Sequence, residues 1–214
     1  MKPNNLEIRG VGGRRFLLGC GLLAGPFYLA VGLTQALLRD GFDLARHPLS
    51  LLANGRGGWV QTANFVVTGL LVLAAAVGFG RVLGPKSRAV RWLLGSFAVG
   101  MIVAAIFPAD PVDGFPPGTP KGPPTSISNT GLAHFVVSSL GFTALAISCF
   151  FAAPVMWRKN ESSLALLSLF SGFAILVGFF GGIVFPMGTL GIWFAVVVGW
   201  AWLSILSLRL NRPA

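Results

Sequence analysis

The sequence predicts an all-α membrane protein, a six-transmembrane-helix bundle, and three observations lead there. Of 214 residues, 54% are apolar and only 10% are charged, whereas a soluble domain carries about 25% charge. Six apolar runs contain no Lys, Arg, Asp or Glu, and a membrane span needs about 20 mostly apolar residues. The charged residues sit at the ends of those runs, as topology demands. A soluble single-core protein is excluded, and so is a disordered chain, which needs few hydrophobes and many charges. The net charge of +10 would suggest nucleic acid in a soluble protein; here it is a matter of orientation, and no nucleic-acid partner is expected.

Taken in order, helices are expected over about 16–38, 59–80, 92–109, 131–153, 164–185 and 189–208, in one integral domain covering 1–214. The first follows Arg14-Arg15. Too few apolar residues separate Arg15 from Cys20 for a cleaved lipoprotein signal, so the run reads as the positive start of a retained span. On the second span Gln61, Asn64 and Thr68 share one face. The third is short, and Pro108 and Ala109 carry it to Asp110. Between the fifth and sixth, Pro186, Met187 and Gly188 suffice for a tight hairpin. Pro26 and Pro154 should kink their helices where neighbours satisfy the freed carbonyls. Gly21-x-x-x-Gly25 and Gly178-x-x-x-Gly182 are close-approach motifs; among 29 glycines they indicate packing within the chain rather than a dimer. Trp59 and Trp193 fit an outer aromatic belt, and Trp92 and Trp157 an inner one. Cys20 and Cys149 read as buried small hydrophobes rather than a disulfide.

Basic residues set the orientation. The amino terminus, the 81–91 and 157–163 loops and the carboxy tail hold twelve of the sixteen Lys and Arg; Arg39, Arg46, Arg56 and Lys121 fall on the other side. The positive-inside rule places both termini in the cytoplasm, with the basic collar against anionic lipid. The Asn160-Glu161-Ser162 sequon is then cytoplasmic and not a glycosylation site. Asp40, Asp43, Asp110 and Asp113 all lie outside. Two structured loops, 39–58 and 108–130, are expected on the outer face. The second holds seven of the fourteen prolines and should be a stiff, irregular cap. In the first, Asn54-Gly55 with Gly57 and Gly58 marks a turn.

Polar groups inside a membrane are costly and tend to mark function. Thr34 and Gln35, the face of the second span, Asp110, and His134 with Ser138 one turn below it form a polar layer at the outer ends of spans one to four. The chain has only two histidines. His47 stands in His47-Pro48-Leu49-Ser50, where Pro48 suits the first turn of a short helix. His47, Asp110 and His134, with Ser50 and Asp113 as lesser candidates, come from three segments that can converge. Such a group is what acid–base catalysis requires, or what a divalent metal such as zinc would take as ligands. The bland alternative is interhelical hydrogen bonding, worth about 0.6 kcal/mol per bond, and pairing that pins the loops. Ser50 lacks a GxSxG elbow, and no HxxxH or CxxC pair is present.

Phe42 to Asn64, with His47-Pro48-Leu49-Ser50 and Leu51-Leu52-Ala53-Asn54-Gly55, together with Phe107-Pro108-Ala109-Asp110-Pro111 and Gly131-Leu132-Ala133-His134-Phe135, resembles a bacterial membrane family catalogued as domain of unknown function 998. The resemblance covers nearly the whole chain. It implies six membrane helices in a bacterial plasma (inner) membrane, with characteristic polar residues where His47, Ser50, Asp110 and His134 stand. It supplies no activity. Ceramidase and adiponectin-receptor hydrolases also combine Asp, Ser and His in a helical bundle, but with three metal-binding histidines, against two here. Two readings stay open. One is an outward-facing intramembrane hydrolase or transferase acting on a lipid-like substrate. The other is a non-catalytic sensor or scaffold whose His/Asp cluster is structural or pH-responsive. A transporter fits less well, because inverted repeats and broken midplane helices are absent from the pattern. In either reading the partners are membrane lipids.

Overall fold

In hydrocarbon every backbone N–H and C=O must be satisfied by the chain itself, which leaves the helix as the solution for apolar runs of this length. The computed structural model describes residues 5–84, 87–124, 126–184 and 188–212. They form six long helices: α1 (Asn5–Leu38), α2 (Gly58–Leu83), α3 (Arg88–Ile106), α4 (Asn129–Arg158), α5 (Ser162–Val184) and α6 (Gly188–Asn211). Each is long and apolar enough to cross a membrane. A short 3₁₀ helix, Leu49–Ala53, lies between α1 and α2. No strand is present among the described residues, only an isolated bridge between Val112 and Phe115. The turn expected at Pro186 and Met187 lies outside the described residues, as do Lys2 and Lys86 of the basic side.

Each helix packs on its neighbours in sequence, and α6 returns to pack on α1, so the bundle closes into a ring. Both glycine motifs are used inside it. A Cβ on Gly25 would sit 2.6 Å from Trp200 of α6, and one on Gly191 would sit 2.6 Å from the Gly178 carbonyl oxygen. Only glycine lets α5 and α6 approach this closely. Pro26 has no N–H to offer the Leu22 carbonyl, and the Ser204 hydroxyl of α6 donates to that carbonyl instead at 3.1 Å.

Several boundaries differ from expectation, the largest at the amino end, where α1 begins at Asn5 rather than near 16; two others involve prolines. The third helix stops at Ile106 rather than reaching Ala109, because Phe107 precedes Pro108 and is extended (φ −111°, ψ 92°), as residues before proline tend to be. The fourth runs through Pro154 to Arg158. Cys20 and Cys149 are free and buried.

The ring is solid at the end bearing the termini and open at the end bearing the two long loops. Leu18, Phe79, Leu94, Met156, Trp202 and Leu206 fill the first end with side chains that are fully buried. Outside, the helices present apolar groups: Phe16 is 71% exposed and Val177 70%. A soluble protein does not show such a continuous apolar coat; lipid covers it here. Trp59, Trp92 and Trp157 are exposed at the ends of their helices, as belt residues should be.

Candidate functional site

The loops interlock to close the open end. His47 is 1% exposed. Its Nδ1 accepts the Asp43 N–H at 2.9 Å, and its Nε2 faces the Asp113 carbonyl at 3.1 Å. A carbonyl only accepts, so Nε2 carries the proton and Nδ1 the lone pair; both nitrogens are spent on backbone. Phe42 and Phe115 pack on the ring. Asp113 takes an ion pair from Arg46, with the Arg46 Nε–H also donating to it at 2.8 Å, and accepts the Gly122 N–H. The Arg46 guanidinium, then the Gly122 N–H, hold the Asp113 carboxyl down at about 2. Arg39 donates to the Leu52 and Asn54 carbonyls at the end of the 3₁₀ helix and lies over the Phe115 ring. Asn54 donates to the Ala109 carbonyl, joining the first loop to the second.

Beneath this cap the ring holds a half-open chamber of about 380 Å³, within the size range of ligand pockets. Tyr28, Phe65, Phe142, Phe179, Trp193 and Val196 form its walls, with Pro48, Ser50 and Asp110 at the roof. A narrower pocket of about 50 Å³ between Phe97, Met101, Gly141 and Trp200 continues it toward the solid end; Tyr28, Phe65, Ser138, Phe142 and Val196 line both. His134 is on the chamber wall. Its Nδ1–H donates to the Phe107 carbonyl at 2.8 Å, a group left unpaired where α3 ends, so the lone pair is on Nε2. The Ala104 carbonyl is a second backbone acceptor beside the ring, and among the described residues no donor claims the Nε2 lone pair. A ring held at Nδ1 with Nε2 free is poised to act as a base or a ligand.

Asp110 is held differently. Its carboxylate accepts the Ser128 N–H at 2.9 Å and the Ser128 hydroxyl at 2.5 Å. Ser128 in turn caps α4 by accepting the Gly131 N–H, and Asp110 lies against Gly131, where a Cβ would collide with it. An anion there complements the positive end of the helix. Asp110 and His134 share the chamber but are not hydrogen-bonded to each other.

Ser50, Asp110 and His134 thus line one space, while His47 and Asp113 belong to the cap above it. The expected convergence of His47, Asp110 and His134 is not what the structure shows: among the described residues no three His, Cys, Asp or Glu side chains gather to hold a metal ion. The physical reason is that His47 is turned to the backbone of its own loop and of Asp113. Trp193, expected in the outer aromatic belt, lines the chamber and also an outward groove beside Leu33 and Leu190. The polar face of α2 also forms a group apart: Gln35 donates to Gln61, Asn64 to Gln61 and the Tyr28 carbonyl, and Thr68 to Asn64.

These interlocked motifs lie within the region that a family model covers: a protein of unknown function (DUF998), matched over residues 22–209. The chain belongs to this family. No curated protein and no solved structure matches it. The DUF998 match includes both loops, the 3₁₀ helix and every chamber residue named above.

Sequence reasoning missed Arg39, Arg46, Asn54, Ser128 and Phe115 in this DUF998 site. Three of them carried a signal. Arg39 and Arg46 break the positive-inside pattern, and a cation on the sparse side needs a local reason, which the cap provides. Ser128 directly before a helix start is a capping signature.

Proposed function

We propose that the protein takes an amphiphilic, lipid-like molecule into the chamber and acts on it as a hydrolase or transferase, with His134 as the acid–base group. The carrying observation is the chamber itself: walls of Phe, Trp, Tyr and Val with a few polar groups gathered at one end, the composition of a site for a mostly apolar ligand. His134 Nε2 can take a proton from a water or an alcohol brought to that end. Ser50 and Asp110 face the same space, and Asp110 also keeps the roof in place. The positive-inside split supports an outward-facing site in a plasma membrane, with substrate arriving from the outer leaflet.

The test compares wild type with His134→Gln, purified from the same membranes. Mass spectrometry of retained lipids and of products formed from a membrane lipid extract should show an amphiphile held by both and conversion by the wild type alone. The second reading, a non-catalytic sensor, is favoured by the extent to which His47, Asp110 and Asp113 are committed to structural bonds. Retention without conversion by either protein would establish it. Neither retention nor conversion would remove both readings.

A further inference from the structure

Resting on the chamber reading above, the lining says which head group fits. We infer that the chamber selects an uncharged, hydroxyl-bearing amphiphile with a single chain, of the monoacylglycerol or long-chain-alcohol kind, against phosphate- or carboxylate-headed ones.

Charge is the first argument. Among the described residues no Lys or Arg lines the chamber, and the one charged side chain there is Asp110. An anionic head group would give up its water with no cation to receive it, facing a carboxylate of its own sign. The positive end of α4, which could otherwise hold an anion, is already answered by Asp110 and Ser128. The two arginines of the cap are spent elsewhere: Arg46 on Asp113 and Arg39 on the 3₁₀ carbonyls.

Hydrogen-bonding capacity is the second. His134 Nε2 offers an acceptor. Ser50 can donate or accept. A hydroxyl both donates and accepts, so it answers this set, whereas a deprotonated carboxylate or phosphate diester has no proton to give His134. Shape is the third. Ser138 stands where the chamber passes into the narrow pocket, which has room for the end of one chain and not two.

The experiment uses full-length protein in lipid nanodiscs and a monoacylglycerol carrying a diazirine at its chain end, with labelled residues mapped by mass spectrometry. Label is expected on Phe97, Met101 or Trp200. Unlabelled monoacylglycerol should compete at least about tenfold better than an alkyl phosphate or fatty acid of equal chain length. Asp110→Asn should narrow that difference. Ser138→Phe, checked for folding by gel filtration, should move the label out of the narrow pocket while leaving a short-chain probe in the chamber. Equal competition by the anionic lipids overturns the head-group selection and leaves the chamber reading standing. Unchanged deep labelling in folded Ser138→Phe overturns the single-chain seating. No labelling in either space by any probe overturns the chamber reading itself, and this inference with it.

Discussion

At His47 the two ring nitrogens hold backbone groups from different loops, Asp43 and Asp113, so truncating the ring removes two buried hydrogen bonds and its packing on Phe42 and Phe115. His47→Ala is expected to cost on the order of 2–4 kcal/mol, read as a lower thermal midpoint in detergent. His47→Gln, which keeps a donor and an acceptor, should recover part of that loss. Full stability in the alanine variant would contradict the locking role. Asp113 supplies a pH prediction. Its folded carboxyl titrates at about 2, below the ordinary value of about 3.9. The ionised form is therefore the one the fold favours, and its contribution is complete above about pH 4 and lost as pH falls toward 2. Cap opening that follows this pair, monitored by proteolysis of the 108–130 loop, should be flat from neutral pH to about 4. Asp110 and Ser128 form the third residue-scale case. Because they bond directly, a double-mutant cycle of Asp110→Asn and Ser128→Ala should be non-additive, whereas Asp110 with His134, which share no hydrogen bond, should couple more weakly.

At the scale of helices, the contact between Ser204 and the Leu22 carbonyl exists because Pro26 cannot make it. Ser204→Ala should destabilise by about 1 kcal/mol in the native background and by almost nothing in a Pro26→Ala background, where the restored N–H satisfies Leu22 from within α1. Equal losses in both would mean the hydroxyl is not compensating for proline. This scale also shows what sequence could reveal. The six spans were legible because hydrocarbon imposes a simple rule on composition, one that Phe16 to Leu38 or Leu164 onward obey without any tertiary information. The close approach of α5 and α6 was legible in the same way, through Gly178 and Gly182. His134 and Asp110 were legible as candidates because ionisable groups are rare near membrane depth. Their separate roles were not. Whether His47 points into the bundle or at backbone depends on a fold of two irregular loops, and Trp193 as belt or chamber wall depends on the rotation of α6. Neither leaves a period in the sequence.

For the whole molecule, the basic split makes orientation testable. A reporter fused after Ala214 should behave as cytoplasmic, and one placed in 114–122 as external; external activity from the carboxy-terminal fusion would invert the assignment and put the chamber on the cytoplasmic face. The closed ring adds a consequence for chain connectivity. Since α6 packs against α1 as α1 packs against α2, the bundle has no structurally privileged first helix, and the break between the ends is one junction among six. A circular permutant that joins the native ends with a short linker and opens between α4 and α5, at Lys159–Asn160, moves whole helical hairpins and preserves the direction in which every helix crosses the bilayer. It should insert and keep its chamber. Opening between α3 and α4 instead would put the new termini at the loop-bearing end and cut the segment that carries Asp110, Asp113 and Ser128, so that permutant should lose the cap although its helices are unchanged.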